Sequence, residues 1–190
     1  MNSAEKLDYI YNLVTRFVSP PTATNALGFQ KTPQPDIVYI GECAGHPWYK
    51  MTDSGDAGRT PVEFNFLAGH LTDLEIRQKK SSDYGDRLKL RIQINCGKEN
   101  YSLVSGLSTY FSRAVVSGLC SLGESFDFAK TVIGIEASTG DKGKVILPTL
   151  YVSPNSGTWV KVKSEASLLS DDSDMTTAVN DVLRPRLKRE

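Results

Sequence analysis

Between Gly85 and Tyr101 the chain alternates between apolar and polar residues. Leucine or isoleucine stands at positions 88, 90, 92 and 94, while arginine, lysine or glutamine stands at 87, 89, 91 and 93. A period of two is typical of a β-strand that buries one face and leaves the other in water. The stretch therefore predicts a strand whose solvent face carries three cations, Arg87, Lys89 and Arg91.

Strand-like segments follow one another through most of the chain. Seven further segments have strand composition or alternation: 37–40, 46–51, 61–80, 101–105, 131–138, 145–152 and 158–163. The glycine at the middle of the longest segment, Gly69, predicts a bend such as a barrel corner. Residues 107–122 interrupt the β pattern and predict one helix, with Ser108 as its candidate N-cap.

Three parts are expected along the chain. Residues 1–35 predict an N-terminal helix over 3–17 followed by a proline-rich arm. Residues 36–164 predict a mainly β domain, a barrel or a sandwich, with one internal helix; periodicity alone does not separate those two architectures. Several short strands with one helix between them have the outline of an oligonucleotide-binding (OB) fold. Residues 165–190 predict a tail with a short helix near 174–184.

Positive charge is concentrated in the middle of the chain. The 190 residues include 22 basic and 22 acidic residues, so the net charge is zero. Residues 77–113 nevertheless hold eight basic against three acidic residues, a net charge of +5. This segment predicts an anionic partner. The alternative is that the cations only keep a sheet face soluble and prevent edge pairing.

A single-stranded nucleic acid fits this pattern of cations. Side chains two residues apart on one strand lie about 7 Å apart, which is near the spacing of phosphates along an extended single strand. Exposed aromatic rings would stack on the bases, although burial in the core is the alternative for every ring. The candidate nucleic-acid-binding residues are Arg77, Lys79, Lys80, Tyr84, Arg87, Lys89, Arg91, Lys98, Tyr101, Trp159, Lys161 and Lys163. Of the adjacent Trp48 and Tyr49, one is expected to face solvent.

Signals for catalysis are weak. The chain contains none of the motifs GxxxxGK[ST], GxSxG, HExxH and GxGxxG. Cys43 and His46 are too few ligands for a metal site. We therefore expect neither an enzyme nor a cofactor, although a pocket joining Asp53, Asp56 and His46 would favour an enzyme.

The cellular location is predicted from what the sequence lacks. No apolar run approaches the ~20 residues of a membrane span, and the first residues do not resemble a signal peptide. Three cysteines without a CxxC pair indicate reduced thiols. These features predict a cytoplasmic protein.

Several segments, taken in order, resemble a known family. DYGDRLKLRI (83–92), YSLVS (101–105), STYFSRAVVSGL (108–119) and KVILPTLYVSPNSGTWVK (144–161) are similar to segments of OB-fold single-stranded DNA-binding proteins of phage and bacterial type. The resemblance covers about residues 65–163. It implies a non-catalytic binding surface that includes Arg87, Lys89, Arg91, Tyr101 and Trp159. Such bacterial proteins end in an acidic tail that recruits partners, whereas this chain has its acids at 171–174 and ends in RPRLKRE.

The sequence therefore predicts two alternative functions. The first is binding of single-stranded DNA, with RNA left open, at low sequence specificity. The alternative is a structural accessory module that forms a homo-oligomer through its helical ends.

Overall fold

Several segments predicted from the sequence lie outside the residues that the structure describes. A computed structural model describes residues 35–52, 58–79, 87–140, 145–154, 158–163 and 169–188. The predicted N-terminal helix, nearly all of the proline-rich arm and the 81–86 turn lie outside these residues. So do Lys80 and Tyr84 among the candidate binding residues. The described residues belong to one unit, which begins at Gln34.

Nine strands form one mixed sheet. They are β1 Asp36–Cys43, β2 His46–Met51, β3 Arg59–Pro61, β4 Phe66–Lys79, β5 Arg87–Asn95, β6 Asn100–Gly106, β7 Val132–Thr139, β8 Ile146–Ser153 and β9 Val160–Lys161. Their order across the sheet is β3-β2-β1-β6-β5-β4-β7-β8-β9. Neighbouring strands are antiparallel except β1 and β6, which are parallel. The mainly β class is confirmed.

The prediction of a closed barrel is wrong. The sheet is open, and it is a single sheet rather than the two sheets of a sandwich. Some Cα atoms of β2 and β7 lie within 8 Å of one another, so the sheet curls strongly without a hydrogen-bonded ladder between these strands. The physical reason lies at β6, because β1 pairs with its outer edge and extends the sheet through β2 and β3.

The long strand β4 changes partners near its predicted bend. Its first residues, Phe66 to Gly69, pair with β7, and the residues from His70 onward pair with β5. A Cβ atom at Gly69 would lie 2.4 Å from the carbonyl oxygen of Asn95, so only glycine fits there without a shift. A β-bulge follows between Leu71 and Asp73. These features bend one strand across both parts of the sheet.

The helix between β6 and β7 packs against the inner face of the sheet and contributes to the core. Helix α1, Tyr110–Ser121, begins after Thr109, whose side-chain oxygen accepts a hydrogen bond from the Ser112 amide. The N-cap is therefore Thr109 and not Ser108. Its buried face includes Phe111, Val115 and Leu119, which belong to one apolar cluster with the inward residues of the strands.

The C-terminal residues form a helical segment that enters the same core. It consists of α2 Asp172–Thr177, a π-helical turn Ala178–Leu183 and α3 Arg184–Leu187. Asp171 caps it by accepting hydrogen bonds from the amides of Ser173 and Asp174, each at 2.8 Å. Met175, Val179 and Leu183 are fully buried. No helix among the described residues is long and apolar enough to cross a membrane.

Candidate nucleic-acid interface

The outer face of β5 carries the predicted cations. Leu90, Ile92 and Ile94 are buried, whereas Lys89 and Arg91 lie on the opposite, outer face. The register of the sheet extends the outer face sideways from Arg91. In order across the strands, the row reads Glu75, Arg91, Val104, Tyr39, Tyr49 and Pro61. The strand alternation read from the sequence is therefore confirmed.

A groove runs along this row, and we call it the outer groove. It has a volume of about 530 Å³. Four cations line it, which are Arg59, Arg77, Lys89 and Arg91. Apolar and aromatic walls complete the groove, contributed by Ile37, Tyr39, Tyr49, Met51 and Val104. It thus combines positive charge with flat rings on one surface.

Two tyrosines form the aromatic wall of the outer groove. The rings of Tyr39 and Tyr49 are stacked, with centroids 5.5 Å apart and planes 18° from parallel. The guanidinium of Arg59 lies 4.8 Å from the centroid of Tyr49, within the range of a cation–π interaction. Trp48, the neighbour of Tyr49, is only 2% exposed. The predicted division of this pair into one inward and one outward ring is confirmed.

One acid lowers the charge of the groove. The Glu75 carboxylate lies 2.8 Å from Nε of Arg77 and 3.5 Å from Nη1 of Arg91. Nε of Arg91 also donates to the hydroxyl of Ser102, a fully buried residue. The side chains of Arg91 and Glu75 are each 14% exposed, so this arginine is held in place at the floor of the groove. Among the described residues, four cations and one acid give the groove three net positive charges.

The structure places Tyr101 away from the outer groove. It shares the inner side of the sheet with Leu103 and packs against the core. Its hydroxyl donates a hydrogen bond to Glu99, and this bond raises the pKa of Tyr101 to about 12. Lys50 lies 5.8 Å from its ring centroid. Tyr101 is therefore not part of the surface formed by Arg91.

The other predicted residues of this region surround the groove at different distances. Arg87 is exposed and is paired in register with Lys79, at the far ends of β5 and β4. The side chain of Lys79 lies outside what the structure describes. Lys98 is exposed in the turn between β5 and β6, at the opposite end of β5 from Arg87. The structure thus brings Arg77, Lys89 and Arg91 together and leaves Lys98 apart.

Trp159 belongs to a separate ring cluster on the other part of the sheet. Its ring meets Phe66 edge to face at 5.3 Å, and Phe66 meets Tyr151 at 6.0 Å. We call Phe66, Tyr151 and Trp159 the ring cluster. Lys161 pairs in register with Tyr151, and Lys163 is exposed two residues further on. The strand predicted over 158–163 is shorter, because only two residues pair with β8.

Metal-ligating side chains do not cluster within the described residues. No three His, Cys, Asp or Glu side chains there are grouped so as to hold a metal ion. Cys43 and His46 face each other across the β1–β2 turn. The three cysteines are not joined in disulfides. Asp53 and Asp56, on which the enzyme hypothesis depends, lie outside the described residues.

Comparisons with known proteins give no family for this chain. No protein-family model, no curated protein and no solved structure matches it.

Three groove residues, Tyr39, Tyr49 and Arg59, are not among the candidate binding residues predicted from the sequence. Tyr39 and Tyr49 lie on short strands. Each faces outward because its neighbour in the chain, Val38 or Trp48, is buried. Alternation within DIVYI gives this signal for Tyr39. Arg59 stands on a three-residue strand with no pattern of its own. Only its pairing with β2 places it in the groove.

Proposed function

We propose that this protein binds single-stranded nucleic acid, without catalysis and with low sequence specificity, through the outer groove. The observation that carries the proposal is the joining of Arg59, Arg77, Lys89 and Arg91 with two stacked tyrosines in one groove. A phosphate backbone requires a line of cations, and unpaired bases require flat apolar surfaces. The groove offers both within one row of the sheet.

The electrostatics favour a polyanion over a neutral ligand. The described residues give the groove three net positive charges beside partly apolar walls, and an apolar wall strengthens each charge–charge interaction relative to open water. Arg91 is fixed by Glu75 and Ser102, so little side-chain entropy is lost when a phosphate binds it. A single strand is preferred over a duplex, because a duplex hides the base faces that the tyrosines would contact.

The connection of the strands supports an OB-like topology. The order β7-β4-β5-β6 is a Greek key, in which three consecutive strands are followed by a fourth that returns beside the first. Helix α1 lies between β6 and β7 in the chain. In OB folds the second and third strands carry the nucleic-acid face. By this correspondence β5 and β6 provide that face here, and β5 contains Lys89 and Arg91.

The proposal is tested by fluorescence anisotropy with labelled oligo-dT of about 30 nucleotides, which exceeds the usual site of one OB domain. We expect binding at low salt that weakens steeply as the salt concentration is raised. We also expect that unlabelled duplex DNA competes poorly with the labelled single strand. The informative variant is Arg59→Gln, because Arg59 is exposed and has no ion pair within the described part of the chain. Loss of one phosphate contact should reduce the slope of log K against log salt by about 0.7.

Lys188→Gln is the matched control, since it removes one exposed charge from the C-terminal helical segment. It should bind like the parent protein. The proposal is wrong if the parent shows no binding at low salt and micromolar protein. It is also wrong if Arg59→Gln and Lys188→Gln weaken binding equally, because the groove would then have no special role.

A further inference from the structure

The ring cluster is an exposed, ordered aromatic surface. Phe66 is 38% exposed and Trp159 is 42% exposed, although both rings are fixed by edge-to-face contacts. Tyr151 is fixed as well, because its hydroxyl donates a 3.0 Å hydrogen bond to Glu136. Large rings that are exposed yet already ordered lose little entropy when a ligand stacks on them.

A glycine supports this surface from below. The rings of Phe66 and Trp159 lie over Gly134 of β7, where an added Cβ atom would come within 2.6 Å of Phe66 and 2.9 Å of Trp159. Gly134 pairs with Tyr151 in the register of β7 and β8. The missing side chain therefore lets both rings lie close against the sheet.

The β-bulge in β4 places the ring cluster on the same face as the outer groove. Phe66 points outward at the start of the strand, and simple alternation from it would also turn Leu74 and Ile76 outward. The bulge between Leu71 and Asp73 inserts one residue, so Leu74 is buried and Glu75 and Arg77 point outward. One continuous outer face thus runs from the ring cluster to the groove.

Cations accompany the ring cluster, as they do the groove. Lys161 lies beside Tyr151 in register, and Lys163 stands two residues further along the chain. Both are exposed. No ion pair involves either lysine within the described ranges. This charge matches a phosphate backbone rather than a neutral sugar or an apolar surface.

We infer that the ring cluster, with Lys161 and Lys163, is a second contact region for the same single strand that occupies the outer groove. The inference rests on the proposed function. Phe66 and Glu75 are nine residues apart on β4, so the path along this strand between the two regions is about 30 Å at ~3.3 Å per residue. A short oligonucleotide therefore reaches only one region, and a longer one reaches both.

Tryptophan fluorescence separates the two regions. Trp159 is exposed, whereas Trp48 is 2% exposed and gives a constant background. Oligo-dT of about 4 and about 24 nucleotides, which span the range of OB site sizes, would be titrated while anisotropy and tryptophan emission are followed. The longer oligonucleotide should bind more tightly and quench Trp159. Trp159→Ala should weaken binding of the longer oligonucleotide by roughly 5- to 150-fold, the range expected for losing one stacked base.

Two variants serve as controls. Trp159→Phe keeps a ring and should retain most of the length-dependent affinity. Gly134→Ala displaces the rings without removing them, and it should reduce that affinity while groove binding of the short oligonucleotide persists. It also provides a second test if Trp159→Ala folds poorly.

The outcomes distinguish this inference from the proposed function. If both oligonucleotides bind but neither quenches Trp159, and Trp159→Ala binds normally, the second region does not exist and the groove proposal stands. If neither oligonucleotide changes the anisotropy, the proposed function fails. If Trp159→Ala instead lowers the sedimentation coefficient of the nucleic-acid-free protein, the ring cluster joins two copies of the chain and the inference is wrong.

Discussion

At the scale of single residues, Glu75 sets the charge of the outer groove. It lies between Arg77 and Arg91 and is largely shielded from solvent. Its carboxylate orients both guanidinium groups, yet it also cancels one positive charge that a phosphate could use. Glu75 therefore stabilises the folded protein but weakens the attraction of the groove for a phosphate.

Glu75→Gln is expected to separate these two effects. It should strengthen binding of oligo-dT several-fold at low salt, because the groove gains one net positive charge. It should lower the free energy of unfolding by about 1–3 kcal/mol, because Arg91 loses a charged partner at a mostly buried position. Anisotropy and urea denaturation measure the two quantities. Glu63→Gln removes an exposed acid outside the groove and is the control; equal behaviour of the two variants would contradict the role given to Glu75.

The phenol of Tyr101 offers a test of local geometry by titration. The hydrogen bond to Glu99 raises its pKa to about 12, above the usual value of 10.0. The protonated phenol is thus favoured in the folded state. This contribution to stability is present below pH 10 and is lost as the pH rises through about 12. Glu99→Gln should move the titration of Tyr101 downward, seen as tyrosinate absorbance at lower pH, with Tyr101→Phe identifying the signal. An unchanged titration in Glu99→Gln would show that the Glu99 carboxylate does not raise the pKa of Tyr101.

At the scale of elements, strand β4 joins the two parts of the sheet. Its glycine, its bulge and its change of partner all lie between Gly69 and Asp73. The sequence indicates the bend because a glycine interrupts an extended segment. It does not indicate the bulge, because one inserted residue is visible only when the partner strand fixes the register.

Gly69→Ala should be strongly destabilising. The added methyl group would lie 2.4 Å from the Asn95 carbonyl oxygen and 2.6 Å from Cγ2 of Ile94, and a backbone atom cannot move aside without disturbing the β4–β5 ladder. We expect a loss of about 3 kcal/mol in the free energy of unfolding, at the upper end of typical overpacking costs. Gly140→Ala is the control, since its nearest contact would be 3.2 Å away at a strand end. Equal unfolding midpoints in urea for the two variants would refute the argument.

Alternation explains which site residues could be predicted from the sequence. Arg91 and Lys89 follow from the pattern of β5 alone, since their neighbours Leu90 and Ile92 are buried. The same rule, applied to YSLVS, puts Tyr101 on the side of Leu103 and away from the cations. The neutralising role of Glu75 depends on the register between two strands, and no local pattern encodes that register.

At the scale of the whole molecule, pairing between distant strands determines the architecture of the sheet, which local sequence patterns do not predict. The parallel pairing of β1 with β6 joins residues more than sixty positions apart and keeps the sheet from closing. The composition of neither strand indicates this pairing. A short apolar strand can lie at the edge of a sheet, at its centre or in a barrel. The C-terminal residues are a similar case. Residues 170–174 are polar, yet the helical segment that follows them buries Met175, Val179 and Leu183 in the core.

The C-terminal helical segment should unfold together with the sheet. Leu183 is fully buried and packs in the common apolar cluster, whereas the adjacent Val182 is 42% exposed. Leu183→Ala should cost about 2–5 kcal/mol and lower the midpoint of the whole protein, because the cavity lies in the shared core. Val182→Ala should change stability by less than about 0.5 kcal/mol. Circular dichroism would follow the helices and near-ultraviolet absorbance the aromatic residues during urea unfolding. Coincident transitions in Leu183→Ala would establish one cooperative unit, whereas an early loss of helix with an unchanged aromatic transition would show that the segment is independent of the sheet.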